Sequence, residues 1–139
     1  MSAARLTLVA GAAMEDRLRC AVPELNGNLI RWKGKPADLY VRRQLAEVME
    51  TAPDVIAFGP ELPTEAVLEI AAELDRLHPG VEVLVLAEPS PALWEGAARA
   101  GVREVVSPSA DDEELSLAVR RTLATVEGRR PRERSDRGD

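Results

Sequence analysis

Short apolar runs alternate with longer amphipathic stretches along almost the whole chain. The runs fall at residues 5–10, 29–33, 55–58, 81–87 and 102–106. Each is too short for a helix and is rich in leucine or β-branched residues, so each is predicted to be a strand. The third run, Val55 to Phe58, is apolar throughout and lies between Pro53 and Gly59. Such a run is typical of a strand that is buried on both faces.

Between the runs, apolar residues recur at the three- and four-residue spacing of an α-helix. This spacing predicts helices at about residues 14–22, 64–77, 91–100 and 111–126. A further helix, the second in chain order, is predicted to follow from the segment 35–38 and to end at about residue 51. Thr64 and Ser90 are predicted N-caps of the third and fourth helices. Gly101 is predicted to end the fourth helix. Asp111 and Glu114 have the spacing of a capping box at the start of the last helix.

Five strands that alternate with five helices predict an α/β fold, in which a mostly parallel sheet lies between two layers of helices. The expected architecture is a flavodoxin-like three-layer sandwich with the strand order 2-1-3-4-5. The second strand, which carries Arg31 and Lys33, is expected at an edge. Residues 1–126 are predicted to form one domain. Residues 127–139 lack apolar periodicity and are predicted to form a disordered charged tail or linker.

Composition and charge narrow the class of protein. The 139 residues suffice for one core, and 45% hydrophobic with 30% charged residues is ordinary for a soluble globular protein. The tail holds five arginines and four acids, so the first 126 residues carry a net charge of −7. An acidic body argues against nucleic acid as a partner. No apolar run is long enough for a transmembrane segment or a signal peptide, so the predicted location is cytoplasmic.

Catalytic side chains are sparse in this sequence. The single cysteine, Cys20, excludes an internal disulfide and a multi-cysteine metal site. Its position on a helix favours a buried or half-buried structural thiol. The single histidine, His78, follows a predicted helix end without a Cys, Ser or acid constellation. We therefore predict no catalytic residues, no metal site and no cofactor, and do not expect an enzyme.

Two segments resemble response-regulator receiver domains, and the resemblance covers about residues 6–126. Val55 to Phe58 with the loop 60–63 is similar to a receiver's third strand and the loop after it. Residues 100–102, Ala-Gly-Val, resemble the Ala-Gly-Ala that precedes a receiver's fifth strand. The resemblance implies a CheY-like receiver fold. In receivers, acids and a lysine surround a magnesium ion, and an aspartate after the third strand accepts a phosphoryl group.

The positions that carry this chemistry differ here. Residues 10–12, Ala-Gly-Ala, stand where an acidic pair is expected after the first strand. Gly59 stands at the phosphoacceptor position, Ala87 replaces the hydroxyl residue after the fourth strand, and Ser107 replaces the lysine. The pocket of Gly11, Gly59, Ala87 and Ser107 is therefore predicted to be degenerate, with no nucleophile and no site for a hard cation.

Other charged residues have two open interpretations. Glu15, Asp16 and Glu61 lie near the pocket in sequence but are displaced, and are interpreted as solvated acids at helix ends. The third helix carries an acidic stripe, which is either a solvated face or a docking surface; it consists of Glu61, Glu65, Glu69 and Glu73. A basic run is either surface charge or a contact for an anionic partner; it consists of Arg31, Lys33, Lys35, Arg42 and Arg43.

A narrower resemblance lies in residues 100–111, Ala-Gly-Val-Arg-Glu-Val-Val-Ser-Pro-Ser-Ala-Asp. This segment is similar to the atypical receivers at the front of CpaE/TadZ-like proteins, which help to localise and assemble Flp/Tad pili. Actinobacterial relatives are linked to septum-site determination. In that family a MinD-like ATPase follows the receiver, but no G-x-x-x-x-G-K-[ST] loop follows Val126. The chain is expected to be either an N-terminal domain or a stand-alone relative.

The resemblance and the degenerate pocket predict a non-enzymatic pseudo-receiver, a protein-interaction or localisation module of a pilus or septum system. Protein partners are expected, including a MinD-like ATPase domain of the same longer chain. A weak homodimer is expected through the fourth helix, fifth strand and last helix. The candidate interface residues are Leu93, Trp94, Arg99, Arg103, Val105 and Asp112. Trp94 has two open interpretations, an interface side chain or peripheral core packing, and Trp32 is a weaker interface candidate.

An alternative function comes from a different class. The residual pocket beside Gly11, Gly59 and Ser107 would bind a nucleotide or metabolite, which makes the domain a ligand sensor. Glycines let a ligand approach the backbone closely, and the ends of parallel strands favour binding.

Overall fold

Strands and helices alternate along the described residues. The computed structural model describes the backbone of residues 4–25, 27–32 and 42–138, and side chains within residues 4–25, 27–32 and 45–128. The strands are β1 (Leu6–Val9), β2 (Leu29–Arg31), β3 (Val55–Phe58), β4 (Glu82–Leu86) and β5 (Glu104–Val106). The helices are α1 (Ala12–Ala21), α2 (Arg42–Met49), α3 (Thr64–Leu77), α4 (Pro91–Arg99) and α5 (Asp112–Gly138). A 3₁₀ turn, Pro23–Leu25, follows α1.

The five strands form one sheet in the order β2-β1-β3-β4-β5. Every pairing is parallel, and Phe58 at the end of β3 is in register with Val9 on one side and Val85 on the other. The central position of β3 and the edge position of β2 confirm the predicted order. The carboxyl ends of the strands therefore lie along one edge, where an open α/β sheet places its site.

The core has two layers, one on each face of the sheet. Val55 and Ala57 belong to the buried cluster with α1 and α5, whereas Ile56 and Phe58 belong to the cluster with α3 and α4. Successive side chains of a strand point to opposite faces, so β3 contributes to both layers. All four of its residues are inaccessible to solvent. This explains why its sequence is continuously apolar rather than alternating.

Local cap chemistry defines the ends of the later helices. Ser90 Oγ accepts a hydrogen bond from the backbone N–H of Leu93 at 3.1 Å. Asp111 Oδ1 accepts one from the backbone N–H of Glu114 at 2.8 Å. Gly101 has a φ of +82°, a left-handed conformation that favours glycine at a helix C-terminus. The N-cap at Ser90, the helix end at Gly101 and the Asp111 half of the capping box are confirmed.

Three local predictions are wrong. The N-cap of α3 is Pro63, and Thr64 is the first helical residue. Trp32 is only 6% exposed and packs into the cluster with Phe58, so it is not an interface residue. Cys20 is exposed. Leu18 and Met14 take the core-facing positions of α1, and Cys20 is two residues from Leu18, which places it on the opposite side of the helix.

The last helix continues beyond the predicted end near Val126. The structure assigns α5 to Gly138, and Val126 is the most carboxyl-terminal of the described core residues. The division into a domain at 1–126 and a charged tail at 127–139 stays a prediction. The predicted start of α2, after the segment 35–38, lies outside the described residues. Within the described part of the chain, every helix is too short or too polar to cross a membrane.

Candidate functional site

The carboxyl edge of the sheet brings the four predicted pocket positions together. Gly11, Gly59, Ala87 and Ser107 each follow a strand of the parallel sheet. The backbone N–H of Gly59 donates to the carbonyl of Val9 at 2.9 Å, which continues the pairing of β3 with β1 beyond the strand end. The backbone N–H of Ala87 donates to Val106 O at 3.1 Å, likewise between β4 and β5. These loops form the candidate site.

Gly59 is packed so closely that no side chain fits there. A Cβ atom on Gly59 would lie 2.4 Å from the Cβ of Ala10 and 3.2 Å from its Cα. Ala10 is only 2% exposed, and its Cα belongs to the backbone after β1, so it cannot swing aside. The volume that a phosphoacceptor side chain would need is therefore already filled by the neighbouring strand end.

A carboxylate from the next loop lies over both glycines. Glu61 Oε2 accepts a hydrogen bond from the backbone N–H of Gly11 at 3.1 Å. Glu61 Oε1 is 2.6 Å from the point where a Cβ of Gly59 would stand. Gly11 is the N-cap of α1 and has no side chain; Glu61 binds its backbone N–H and places a negative charge at the helix N-terminus, which favours one.

The interpretation of Glu61 as a solvated acid at a helix end is therefore incomplete. Its residue is exposed, but its carboxylate connects the β3–α3 loop to the start of α1. A glycine at the N-cap position is the only sequence signal for such a contact. That signal does not name a partner 50 residues away.

A second carboxylate binds the hydroxyl groups of the β5–α5 loop. Glu88 Oε2 accepts hydrogen bonds from Ser107 Oγ at 2.7 Å and from Ser109 Oγ at 3.2 Å. The backbone N–H of Ser109 also donates to Ser107 Oγ at 3.1 Å. Ser107 thus connects two loops through Glu88, a residue that sequence reasoning missed.

The same β5–α5 loop is held by a cation from α1. Arg17 donates through Nη1 to the carbonyl of Pro108 and through Nη2 to that of Ala110 at 2.6 Å. Its Nη2 also lies 3.4 Å from Asp112 Oδ1. Arg17 is two-thirds buried, with 33% of its side chain exposed. A basic group thus reaches this loop from α1, although no lysine follows β5.

A small cavity of about 210 Å³ opens beside Gly59 and Ala87. Its lining is mainly apolar and includes Leu62, Val67 and Val85. Glu88 is the one acid in the lining. Across the described residues, no three His, Cys, Asp or Glu side chains are grouped as a metal site would need.

Glu15 belongs to a different contact, on the β2 side of α1. Its carboxylate pairs with Arg19 at 2.9 Å and with Arg31 at 2.9 Å. The hydrogen bond from Arg19 first, and then that from Arg31, hold the pKa of Glu15 below its ordinary value. Glu15 is therefore not a simply solvated acid but an anchor for the edge strand. Asp16 is exposed.

The predicted interface centre is partly wrong. Leu93 is 7% exposed and Val105 is 6% exposed, and both pack in the core layer of α3 and α4. Leu93 faces inward because α4 buries a single stripe, Leu93 with Ala97. Trp94, the next residue, is 43% exposed and is the large apolar side chain that α4 presents to solvent.

The charged interface candidates lie at the surface. Arg99 is 79% exposed in its side chain and pairs with Glu95 at 2.9 Å. Arg103 is exposed, and Asp112 is 67% exposed. Of the acidic stripe, Glu65 and Glu69 are exposed on α3, and Glu73 is half-buried and pairs with Arg76. The first member, Glu61, lies in the β3–α3 loop and not on the helix. Of the basic run, Arg31 forms an ion pair with Glu15. The other four side chains lie outside the described part of the chain.

No family model matches the chain, and no curated protein matches its sequence. Solved structures do match. CpaE from Burkholderia thailandensis E264, assigned to pilus assembly, is 25% identical with a TM-score of 0.67 over 88% of this chain and 99% of that one. The CheY-like protein TadZ from Pseudomonas aeruginosa PAO1 is 20% identical with a TM-score of 0.66, covering 86% and 98%.

A third solved structure shows how general the fold is. The receiver domain of an HD domain-containing protein from Pseudomonas fluorescens Pf-5 is 19% identical, with a TM-score of 0.71 over 95% and 96% of the two chains. The chain therefore has the CheY-like fold of a receiver domain. Among receiver-like domains, it resembles the CpaE and TadZ pilus assembly proteins.

Proposed function

We propose that this domain is a pseudo-receiver that works by binding proteins and does not accept a phosphoryl group. The packing of Ala10 against Gly59 carries the proposal, because it leaves no volume for a phosphoacceptor side chain. Glu61 adds a fixed negative charge beside that position. An incoming phosphate would meet this carboxylate, and the described residues hold no metal-type cluster of acids that could offset the repulsion. We likewise propose that the domain is not an enzyme.

Phosphoryl analogues test this proposal directly. With acetyl phosphate or beryllofluoride and Mg²⁺ at millimolar concentration, we expect no added mass and no change in thermal stability. A phosphorylatable receiver treated in parallel is the positive control. Saturable labelling or stabilisation that depends on Mg²⁺ would show that the domain retains receiver chemistry, and the proposal would then fail.

The likeness to CpaE and TadZ supports a place in pilus assembly. Septum-site positioning is the other proposed system and is suggested only by the sequence resemblance of residues 100–111. In this proposal, the domain localises a MinD-like ATPase, either in the same longer chain or as a separate protein. A domain without a phosphorylation switch signals through a surface that is always present, because no modification shifts its conformational equilibrium.

The face around Trp94 is the proposed surface for a weak homodimer. Exposed aromatic side chains are enriched at interfaces and often dominate their energetics. Arg99 and Arg103 lie toward the end of α4 and the start of β5, and Asp112 begins α5. Charges of both signs at the rim would fix the relative orientation of two copies more than they add affinity. Leu93 and Val105 support this face from the core and do not contact the partner.

Trp94→Glu is expected to abolish self-association and to leave the fold intact, because Trp94 is largely outside the core. Sedimentation analysis over a micromolar concentration series measures the pairing, and circular dichroism checks the fold. Leu77→Glu is the matched control, since Leu77 is 49% exposed at the end of α3. A wild-type chain that stays monomeric at high micromolar concentration would contradict the proposed dimer.

Ligand sensing is the second candidate function, and the cavity beside Gly59 and Ala87 is the observation that favours it. Its volume of about 210 Å³ is below the usual range for drug-sized ligands. Glu88 in its lining, with Glu61 on the adjoining glycines, disfavours a nucleotide and favours a small neutral metabolite. A thermal-shift screen in which no metabolite stabilises the domain at millimolar concentration would count against this candidate.

A further inference from the structure

A second recess lies on the opposite side of the molecule from α3, in the groove between α1 and α5. Its volume is about 410 Å³, within the range of ligand sites. One wall is Cys20 with Ala21, two small residues at the end of α1. The other wall is the face of α5 that carries Glu113, Ser116 and Arg120, which follow the i, i+3 and i+7 spacing of one helix face.

Ser116 is the observation that marks this groove as a binding site. The residue is only 6% exposed, and its hydroxyl oxygen has no hydrogen-bond partner. A buried hydroxyl without a partner is costly, and native proteins usually pair such groups. Ser116 lines the groove, but its hydroxyl oxygen is itself covered, so the side chain must rotate to pair with a group that enters there.

The charges of the groove select the class of that group. Asp112 and Glu113 are exposed in the first turn of α5 and lie at the groove. Arg120, the one cation in the lining, makes two hydrogen bonds to Glu24, at 2.7 and 3.1 Å. Its charge is therefore balanced by Glu24, and that of Asp112 is balanced by Arg17 at 3.4 Å, so the excess negative charge along the groove is that of Glu113. Beside these acids, Leu117 is 52% exposed and offers an apolar contact.

We propose that the α1–α5 groove binds an arginine or lysine side chain from a basic segment of a protein partner. The cationic head would donate to Glu113 and to the Ser116 hydroxyl, and the methylene stem would lie against Leu117 and Ala21. Charge complementarity argues for this occupant, since long cationic side chains cover apolar surface with their stems. This groove would be a second partner surface, separate from the Trp94 face. The proposal rests on the proposed function only in that the partner is a protein.

Cys20 makes the chemical preference of the groove measurable. It is the only cysteine, it is exposed and it lines the groove. Three disulfide reagents carry different groups: cystamine an ammonium, hydroxyethyl disulfide a neutral hydroxyl, and dithiodipropionate a carboxylate. The Cys20 thiolate attacks one sulfur of the reagent and forms a mixed disulfide, and the other half leaves as a thiol. Each adduct is titrated with 2-mercaptoethanol, and intact mass gives the fraction that remains. The same titration in urea-unfolded protein is the reference for the adduct's stability.

The native fold is expected to favour the cysteamine adduct over the hydroxyethyl adduct by about tenfold, and to disfavour the carboxylate. Glu113→Gln should remove most of this preference. Glu114→Gln is the matched control, because it removes the same charge from the same helical turn outside the groove lining. Ser116→Ala should reduce the preference while the free domain keeps or gains stability, since it deletes an unpaired hydroxyl.

A second experiment, with peptides, tests whether the groove binds a protein segment and not only a free amine. The blocked tetrapeptide Ala-Leu-Arg-Ala should slow alkylation of Cys20 by iodoacetamide, and its Ala-Leu-Glu-Ala counterpart should not. Equal stability of the three adducts, or a cysteamine preference without protection by the arginine peptide, would overturn the proposal. Neither arm involves phosphorylation or the Trp94 face, so these results are independent of the proposed pseudo-receiver function.

Discussion

Replacing Gly59 by alanine is expected to destabilise the domain by about 3 kcal/mol, the upper part of the usual range for overpacking a core. The added methyl group would stand 2.4 Å from the Ala10 Cβ and 2.6 Å from Glu61 Oε1. Glu61 can rotate away, but the backbone after β1 cannot. Urea unfolding monitored by circular dichroism measures the change in the free energy of unfolding.

Two further variants make this prediction specific. Gly27→Ala is the matched control, because no described atom beyond its chain neighbours lies within 4 Å of a Cβ there, and it should change stability by less than about 0.5 kcal/mol. Ala10→Gly combined with Gly59→Ala should recover part of the loss, since the Ala10 Cα would still stand 3.2 Å away. If Gly59→Ala were as stable as the wild type, the site would have room for a side chain.

The same contact bears on the receiver chemistry. Gly59→Asp returns the residue type that receivers use, but the Cβ of the aspartate would meet Ala10 as the alanine does. We therefore do not expect this substitution to restore phosphorylation.

Arg17→Met is expected to destabilise the domain by about 2 kcal/mol, because hydrogen bonds from a charged donor contribute more than neutral ones. Arg17 connects α1 to the carbonyls of Pro108 and Ala110 in the β5–α5 loop. Methionine keeps the apolar length of the side chain and removes its donors. The midpoint of urea unfolding is the measurement.

Arg17→Lys separates charge from geometry. An ammonium group has no planar fork with which to reach two carbonyls at once, so the lysine variant should recover only part of the lost stability. Asp16→Asn, at the exposed neighbouring position, is the matched control and should stay within about 0.5 kcal/mol. Equal stability of Arg17→Met and the wild type would show that the loop is held without this side chain.

Patterns that repeat over a few residues predicted most of the fold. The bounds of β3 and α3 agree with the prediction, because one is a continuous apolar run and the other carries apolar residues at helical spacing. The caps at Ser90 and Asp111 each join two residues that are three positions apart, so a short stretch of sequence contains both partners. The predicted N-cap at Thr64 is wrong by one residue, because proline and threonine both occur at helix starts. The backbone angles make Pro63 the N-cap and Thr64 the first helical residue.

Individual exposure was less predictable than secondary structure. Cys20 is predicted to be buried or half-buried but is exposed. Trp32 is an interface candidate in the sequence but is buried. Leu93 and Trp94 are adjacent on α4, yet one is 7% exposed and the other 43%. Spacing assigns a helix face, but the layer packed against that face decides how much of each side chain is covered.

The sequence by itself determined the alternating α/β order, the central apolar strand and the absence of the usual receiver side chains at Gly59, Ala87 and Ser107. Only the tertiary structure decided what stands in their place. Glu61 reaches Gly11 across 50 residues, and Arg17 reaches Pro108 across 91. Local periodicity carries no information about contacts at such separations, because the topology of the sheet creates them when it brings the strand ends to one edge.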